Sequence, residues 1–312
     1  MILTLGSRLL SRSTILQSAI TTHSASNLAR NFSASSLCLI KMKIYPVPVR
    51  EDNYAYILES SVDGSAVFVD AYDVPAVEAA ATKLGVSKDG VVGLLTTHHH
   101  HDHSGGNEAF AKTYPGKPIY GGSDEIPALS QKVKDADRLD DLLNGVDIEC
   151  LATPCHTQDH ICYFVQDKEG GGGKGVFTGD TLFVSGCGRF FEGTPEEMLA
   201  AMDKLSKLPD ETVVYCGHEY TKANVAFSAA ILPKEEKGIA KLVKDLKEGR
   251  NAGVTTGVYT IRDERQHNPF MRARDSVVQE KAKEHGAKSA EAVEVMRMLR
   301  ELKNGATVKA NI

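Results

Sequence analysis

Five histidines and one aspartate occupy residues 98–103, directly after the apolar run 91–96 and directly before a Ser-Gly-Gly sequence. Side chains two positions apart in an extended segment point the same way, so alternate members of this cluster are predicted to converge. His103, at the predicted turn into the next helix, adds a fourth candidate metal ligand. Imidazole and carboxylate groups suit zinc, iron or manganese, and a purification tag would not lie between a strand and a glycine turn. The predicted ligands here are His98, His100, Asp102 and His103.

Three more polar groups follow apolar runs in the same way, at 153–156 (Thr-Pro-Cys-His), 178–180 (Thr-Gly-Asp) and 215–218 (Tyr-Cys-Gly-His). Each signal is weak alone, because a single histidine or a Gly-Asp pair after a strand is often only part of a turn. Strand ends can meet above one edge of a sheet, and four such ends in one chain predict one shared site. The additional candidate ligands are His156, Asp180 and His218.

The remaining histidines have weaker placements. His99 and His101 alternate with the candidate ligands and are expected to point away from them. His160 is interpreted as a group that supports the ligands. His267 and His285 do not follow strands and are predicted to lie at the surface.

Alternating short strands and helices indicate an α/β sandwich up to about residue 217. The predicted strands are 43–49, 54–59, 66–70, 91–96, 147–153, 161–166, 174–178 and 212–216, and the predicted helices are 74–84, 106–114 and 195–208. The glycine run 170–173 is expected to form a hairpin loop. Beyond Tyr220 the predicted elements are helices at 223–232, 237–248, 276–285 and 289–303, with a loop at 251–268. We therefore predict a catalytic domain at 43–218 and a smaller helical domain at 219–312.

Residues 1–42 contain no aspartate or glutamate but include Arg8, Arg12, Arg30 and Lys41 among many hydroxyl side chains. This composition is typical of a mitochondrial presequence, which is excluded from the folded protein. A secretory signal peptide is the competing interpretation, but the two early arginines interrupt its apolar stretch. We expect a mitochondrial matrix protein, with a cytosolic form arising from a start at Met42.

Charge and hydropathy exclude other classes. The 312 residues carry a formal net charge of −5, and the pI is near 6.1, so no basic field favours nucleic acid. No apolar run approaches the ~20 residues that cross a bilayer. The six cysteines form no CxxC pair, which fits a reducing compartment. We expect a monomer that binds neither nucleic acid nor membrane.

The pattern Thr-His-x-His-x-Asp-His, followed by the later histidine, the Gly-Asp pair and the Gly-His pair, resembles the ligand set of the metallo-β-lactamase superfamily. The resemblance implies an αββα sandwich with two divalent metal ions. It assigns one metal to His98, His100 and His156, and the other to Asp102, His103 and His218, with Asp180 bridging them. Zinc is the expected metal, with iron and manganese as alternatives.

A site of this kind is electrophilic. Binding to a metal lowers the pKa of water to about 7, so a hydroxide bridging the two metals is the expected nucleophile. Asp102 is the expected catalytic residue, because it can orient that hydroxide. A thioester suits the site, because a leaving thiolate with a conjugate-acid pKa of about 8.5 needs little protonation.

Four segments, 186–194, 218–221, 268–272 and 296–303, resemble the hydroxyacylglutathione hydrolase family. The resemblance implies hydrolysis of S-(2-hydroxyacyl)glutathione, with S-D-lactoylglutathione favoured, to glutathione and a 2-hydroxy acid. It also implies that Arg189, Tyr220, Arg300 and Lys303 hold the glutathione. Two positions depart from the family, which often has lysine at Arg189 and tyrosine at Phe191, so Phe191 lacks a hydroxyl for the ligand. Residues 268–272 are expected to brace the helical domain.

Other interpretations remain open from the sequence. Arg300 and Lys303 lie three apart on one helix, and without the resemblance a solvated helix face would explain them equally well. A glutathione persulfide dioxygenase with one iron on the same fold is the alternative function. A binding module with a structural metal is the third, although two adjacent sites with open positions disfavour it.

Overall fold

The computed structural model describes residues 42–168, 172–249 and 253–312. Its first sheet contains six strands in the order of the chain, antiparallel from β1 to β3 and parallel from β3 to β6. These strands are β1 (Met42–Val49), β2 (Asn53–Ser60), β3 (Ala66–Val69), β4 (Val91–Leu95), β5 (Ile119–Gly121) and β6 (Gln131–Lys132). The predicted presequence lies outside the described residues except for Met42, which begins β1.

The second sheet has four strands, β7 (Val146–Ala152), β8 (Ile161–Asp167), β9 (Lys174–Gly179) and β12 (Val213–Cys216). Their order is β12-β9-β8-β7, with β12 parallel to β9 and the other pairs antiparallel. A separate small hairpin joins β10 (Leu182–Phe183) to β11 (Gly186–Cys187). Part of the predicted glycine loop 170–173, between β8 and β9, lies outside the described residues.

Nine helices occur in the described part of the chain. They are α1 (Val74–Lys83), α2 (His101–Ser104), α3 (Asn107–Thr113), α4 (Pro195–Leu205), α5 (Thr221–Ile231), α6 (Lys237–Lys247), α7 (Ile261–His267), α8 (Ser276–Glu284) and α9 (Ala292–Gly305). The start of α4 is fixed by a capping box between Thr194 and Glu197, with Pro195 in its first turn. This arrangement satisfies two backbone N–H groups that the helix itself leaves unpaired. None of the described helices is both long and apolar enough to span a membrane.

Three buried apolar layers hold the elements together. The inner faces of the two sheets pack against each other through side chains such as Tyr56 and Phe177. The outer face of the first sheet packs on α1 and α3 around Phe68 and Phe110. The outer face of the second sheet packs on α4 and the later helices. The predicted αββα sandwich with a C-terminal helical part is therefore confirmed.

The predicted loop at 251–268 is wrong, because it contains α7. This helix has only seven residues, IRDERQH, and therefore lacks the apolar periodicity of a longer amphipathic helix. Its start is marked by a capping box between Thr260 and Asp263, a signal that could have been recognised in the sequence. The residues before α7 extend the edge of the second sheet, where Val213 pairs with Thr260.

Replacing Phe177 tests the core between the sheets. Its ring is 1% exposed and lies 5.2 Å from the Tyr56 ring, so Phe177→Ala leaves a cavity that both sheets line. We expect the free energy of unfolding to fall by about 3–5 kcal/mol in chemical denaturation. Val62→Ala, at a position 50% exposed, is the matched control and should change it by less than about 0.5 kcal/mol. A decrease in the free energy of unfolding no larger than that of Val62→Ala would show that Phe177 does not pack in the core between the two sheets.

Candidate metal centre

The ends of four strands meet at one edge of the sandwich, as the sequence predicts. The first sheet supplies the segment after β4, and the second supplies the segments after β7, β9 and β12. A backbone hydrogen bond from Ile161 to the Thr97 oxygen (2.8 Å) ties the two sheets together there. Three overlapping groups have ligand atoms within 4.8 Å of one another, namely His98/His100/His156, His98/His103/Asp180 and Asp102/His103/His218.

The Asp180 carboxylate lies between the two histidine groups. Its Oδ2 atom is 3.4 Å from His156 Nε2 on one side and 3.4 Å from His218 Nε2 on the other. Within the first group, His156 Nε2 is 3.1 Å from His100 Nδ1. Within the second, His218 Nε2 is 3.3 Å from Asp102 Oδ2. All seven predicted ligands thus lie at one site, with Asp180 between the two histidine groups.

The chemistry of these donors fits divalent cations. His98 Nε2 is buried and has no hydrogen-bond partner among the described residues, so without a ligand its polarity is uncompensated. Burial lowers the pKa values of His98, His100 and His156, which keeps their imidazoles neutral as metal ligation requires. The fold and the His/Asp groups together indicate a binuclear metal site.

Asp180 and His103 shift each other's pKa values. Burial by itself would raise the pKa of Asp180, but the neighbouring His103 and His218 outweigh burial and hold it well below the usual range. Burial would lower the pKa of His103, yet Asp180 and Asp70 raise it. The pocket therefore favours a carboxylate anion beside positive charge, which a pair of cations also provides.

The path of the chain through the motif differs from the predicted extended one. The backbone turns at His100 and enters α2 at His101. Successive side chains on a helix point about 100° apart, so Asp102 leaves the line of His98 and His100 and joins the second group. The extended path assumed for the motif is therefore wrong, although His98, His100 and Asp102 do converge on one site as predicted.

Carboxylates behind the ligands were not predicted from the sequence. Asp70 follows β3 and accepts hydrogen bonds from the Thr97 N–H and Oγ1 (both 2.8 Å), and its Oδ2 lies 2.9 Å from His103 Nδ1. Asp52 Oδ1 lies 2.9 Å from His218 Nδ1. Such partners fix the ring orientation of a ligating histidine. Asp70 could have been found, because it ends a predicted strand at the same edge of the sheet.

Two neutral partners complete this support. Asn53 Nδ2 donates to Asp102 Oδ2 (2.9 Å), which holds the predicted catalytic carboxylate in one orientation. The Arg189 carbonyl oxygen lies 3.0 Å from His156 Nδ1. The support for His156 thus comes from the backbone of a loop, a contact that residue types alone do not signal.

The other histidines follow the predictions in part. His160 is fully buried and its Nε2 accepts the Asp180 backbone N–H (3.1 Å), so its predicted supporting position is confirmed. His285 is exposed as predicted. The surface prediction for His267 is wrong, because its side chain is 2% exposed in the helical core.

His99 lies at the rim of the site. It forms a further group with His100 and Glu192 that could hold a cation. Its Nδ1 lies 3.0 Å from Asp159 Oδ1, and its ring centroid lies 5.0 Å from that of His100. His99 is thus outside the three groups of predicted ligands, but it lies next to one of their members rather than pointing fully away.

Of the four residues predicted to contact glutathione, Arg189 and Tyr220 line two cavities next to predicted metal ligands. Arg189 is exposed and lines a cavity of about 360 Å³ together with Arg300 and Phe191. Tyr220 lines a second cavity of about 380 Å³, where its ring stacks on His218 with centroids 4.7 Å apart. Phe191 is 61% exposed and its ring lies 5.1 Å from that of His156. Phe191, where the family often has tyrosine, therefore lies next to the site.

Arg300 and Lys303 do not form a solvated helix face. Arg300 is 7% exposed and donates from one guanidinium nitrogen to the Cys187 oxygen (2.9 Å). Lys303 Nζ donates to the Ala223 oxygen (3.1 Å). Burial, with a smaller contribution from Arg300, lowers the pKa of Lys303 to about 8. Arg300 thus contacts the loop that leads to Arg189, whereas Lys303 contacts α5.

Known proteins share this architecture. Residues 50–218 match the family model described as the metallo-beta-lactamase superfamily. A metallo-beta-lactamase from Staphylococcus aureus superposes with a TM-score of 0.55 at 19% identity, covering 84% of this chain and 71% of that one. The chain therefore belongs to the metallo-beta-lactamase superfamily.

The C-terminal part and the sequence relatives narrow the assignment. Residues 219–306 match the model for the hydroxyacylglutathione hydrolase C-terminus. A cytoplasmic hydroxyacylglutathione hydrolase of Arabidopsis thaliana is 42% identical over 84% of this chain and 98% of its own length. A probable hydroxyacylglutathione hydrolase of Schizosaccharomyces pombe is 40% identical over 82% and 94%. Within the superfamily, this protein is a member of the hydroxyacylglutathione hydrolase family.

Replacing Asp70 with asparagine tests the support of His103. Asp70→Asn keeps the shape but removes the charge that faces His103 Nδ1, so metal affinity should fall by about 10–100-fold. The measurement is the chelator concentration that removes half of the bound metal. Asp63→Asn, in the exposed β2–β3 turn, is the control and should match the wild type. Equal metal retention in both variants would show that Asp70 does not hold His103 in position for metal binding.

Proposed function

We propose that this protein is a hydroxyacylglutathione hydrolase that cleaves S-D-lactoylglutathione and related S-(2-hydroxyacyl)glutathiones to glutathione and a 2-hydroxy acid. The observation that carries the proposal is the convergence of seven ligand side chains around Asp180, in a chain whose C-terminal part matches the hydroxyacylglutathione hydrolase model. The named relatives align over nearly their whole length, so the proposal extends to the whole chain.

His98, His100 and His156 would hold one divalent cation, and Asp102, His103 and His218 the other, with Asp180 shared between them. We propose zinc, because imidazole and carboxylate donors at these separations suit it, with iron or manganese as substitutes. When bound, such a pair supplies a nucleophilic water of pKa about 7 and a Lewis acid for the thioester carbonyl.

The protein side chains then direct the reaction. Asp102 would accept a hydrogen bond from the attacking water and so orient it, while Asn53 holds the carboxylate in place. The Tyr220 ring, stacked on His218, walls one side of the approach to the site. The leaving glutathione thiolate has a conjugate-acid pKa of about 8.5 and departs with little help from a general acid.

Glutathione has two carboxylates, and the basic residues beside the site suit them. We propose that Arg189, Tyr220, Arg300 and Lys303 contact the ligand. Arg189 is exposed and would be the first of these residues to contact glutathione as it binds. Arg300 lines the same cavity but already donates to the Cys187 oxygen, so its guanidinium would be shared between backbone and ligand. Phe191 would contribute an apolar wall only.

The dioxygenase alternative is not favoured. That enzyme needs one iron, whereas the donors here form a second complete group around Asp102, His103 and His218. It also lacks the helical domain that carries Arg300 and Lys303, and this chain matches the corresponding family model over residues 219–306.

Domain boundaries, location and assembly are further parts of the proposal. The proposed domains are 43–218 and 219–312, supported by the family-model matches. The acid-free composition of residues 1–42 supports import into the mitochondrial matrix, with a cytosolic product from Met42. We propose a monomer without nucleic-acid partners, because one chain carries the complete donor set and the net charge is negative.

Metal analysis combined with a lactoylglutathione assay tests the function. Purified protein should contain two metal ions per chain and release glutathione from S-D-lactoylglutathione, and chelation should abolish turnover until zinc is restored. Oxygen uptake with glutathione persulfide is measured in parallel. One iron per chain with oxygen uptake, and no thioester cleavage, would overturn the proposal in favour of the dioxygenase.

Replacing Arg189 tests substrate binding. Because Arg189 lies beside the site and away from the reacting carbonyl, Arg189→Ala should raise the KM for S-D-lactoylglutathione about tenfold with little change in kcat. Arg274→Ala removes another exposed arginine, one that pairs with Asp203, and should leave both constants unchanged. An unaltered KM in Arg189→Ala would remove Arg189 from the binding site.

A further inference from the structure

The small hairpin β10–β11 adopts a turn that its own sequence does not favour. Its two turn residues are Val184 and Ser185, and of these two only Ser185 has a positive φ, +57°. Two-residue hairpins prefer turns with positive φ at the first position or at both, since these match the twist of the strands. A left-handed conformation is also unfavourable for a residue with a Cβ atom. Interactions outside the hairpin must therefore hold it.

Side chains of the C-terminal helices supply those interactions. Each carbonyl oxygen from Val184 to Cys187 accepts a hydrogen bond from one of them, and the Ser185 N–H donates to another. The bonds are Asn224 Nδ2 to Val184 O (3.2 Å), Ser228 Oγ to Ser185 O (2.9 Å), Asn268 Nδ2 to Gly186 O (3.0 Å), an Arg300 nitrogen to Cys187 O (2.9 Å) and Ser185 N to Glu264 Oε2 (2.9 Å). We name these five side chains, Asn224, Ser228, Glu264, Asn268 and Arg300, the hairpin clamp.

The far end of the hairpin touches the metal centre. The chain leaves β11 through Gly188, and a Cβ atom there would lie 1.8 Å from the Asp180 backbone oxygen and 3.1 Å from His156 Nδ1. The next residue, Arg189, places its carbonyl oxygen 3.0 Å from the same His156 nitrogen. Because Gly188 packs directly against the Asp180 backbone and the His156 ring, a displacement of the hairpin toward them would displace Asp180 or His156.

We propose that the hairpin clamp positions the metal centre. The C-terminal helical domain then sets the geometry of His156 and Asp180 in addition to binding glutathione. Glu264 is the central positioning residue of the clamp. This inference rests on the proposed function for its catalytic consequence. Its structural basis, the clamp and its contact with two ligands, is independent of the substrate. None of the five clamp residues needs to touch the reacting atoms for this role.

Glu264 is central because one of its oxygens serves two members of the assembly. Oε2 accepts hydrogen bonds from the Ser185 N–H and from Asn268 Nδ2, each at 2.9 Å. The side chain is fully buried, and burial raises the pKa of Glu264 to about 8. His267 lies 3.9 Å away, and burial lowers its pKa to about 3. Both groups are therefore largely neutral at pH 7, and glutamine is a close mimic of the protonated acid.

Three variants of the full chain, purified with zinc, test the proposal. Glu264→Ala removes the acceptor and should lower kcat and raise sensitivity to a chelator, each by about 10–100-fold, while KM for S-D-lactoylglutathione stays within about twofold. Glu264→Gln retains the acceptor and should restore both properties to within about threefold of wild type. Leu242→Ala creates a cavity beside α6 at a residue outside the hairpin clamp, and it should reduce stability without changing zinc retention or kcat.

The outcomes separate the clamp from its alternatives. Wild-type zinc retention and kcat in Glu264→Ala would overturn the proposal, as would equal losses in Leu242→Ala, which would indicate general destabilisation. If Glu264→Ala does not fold, Ser228→Ala removes one hydrogen bond to Ser185 and should increase chelator sensitivity about threefold; no increase would count against the clamp. A wild-type protein that retains zinc but does not cleave the thioester would refute only the proposed function. The clamp could still be tested, because the effect of each variant on zinc retention does not depend on the substrate.

Discussion

The buried Asp180 carboxylate is the group on which the arrangement of the site depends. It is surrounded by imidazoles from both sheets, and its environment admits few alternatives. A Cβ atom on Gly179 would lie 2.6 Å from His160 Nε2, and one on Gly217 would lie 2.4 Å from Asp180 Oδ1. Gly179 also has a φ of +44°. Glycine at these two positions lets β9 and β12 bring Asp180 and His218 so close, because a Cβ atom would overlap the supporting His160 ring at Gly179 and the Asp180 carboxylate at Gly217.

The first sheet orients a predicted ligand supplied by the second. His218 comes from the second sheet, but its Nδ1 faces Asp52 in the turn between β1 and β2 of the first sheet. Asp102 follows the first sheet and is held by Asn53, which also pairs with His218 across the two sheets. The metal ligands are therefore fixed only when both sheets are packed. This coupling ties assembly of the site to completion of the core between them, so binding energy for metal also stabilises the fold.

The sequence correctly predicts which seven side chains come together, because each follows an apolar run that ends in histidine or aspartate. It predicts their arrangement less well. The turn into α2 at His101 redirects Asp102, and no residue in that segment marks the turn clearly. Asp52 is 166 positions from His218, so its role depends on how the sheets pack rather than on any local pattern. The helix α7 has only seven residues, most of them charged or polar, so it shows no apolar periodicity. The burial of His267 results from packing by the helices around it.

Arg300 illustrates why the helical domain and the sandwich are difficult to separate. A guanidinium that is 7% exposed loses most of its hydration, a cost that only charge-compensating contacts can offset. It donates to the Cys187 oxygen, and its charge lies 5.7 Å from the centroid of the Phe270 ring. No carboxylate of the described residues forms an ion pair with it. An incompletely compensated cation beside a cavity attracts an anionic ligand, and the same cation holds the Cys187 oxygen of the loop that leads to Arg189. Under the proposed function, Arg300 would therefore link recognition of a glutathione carboxylate to the position of the loop beside the metal site.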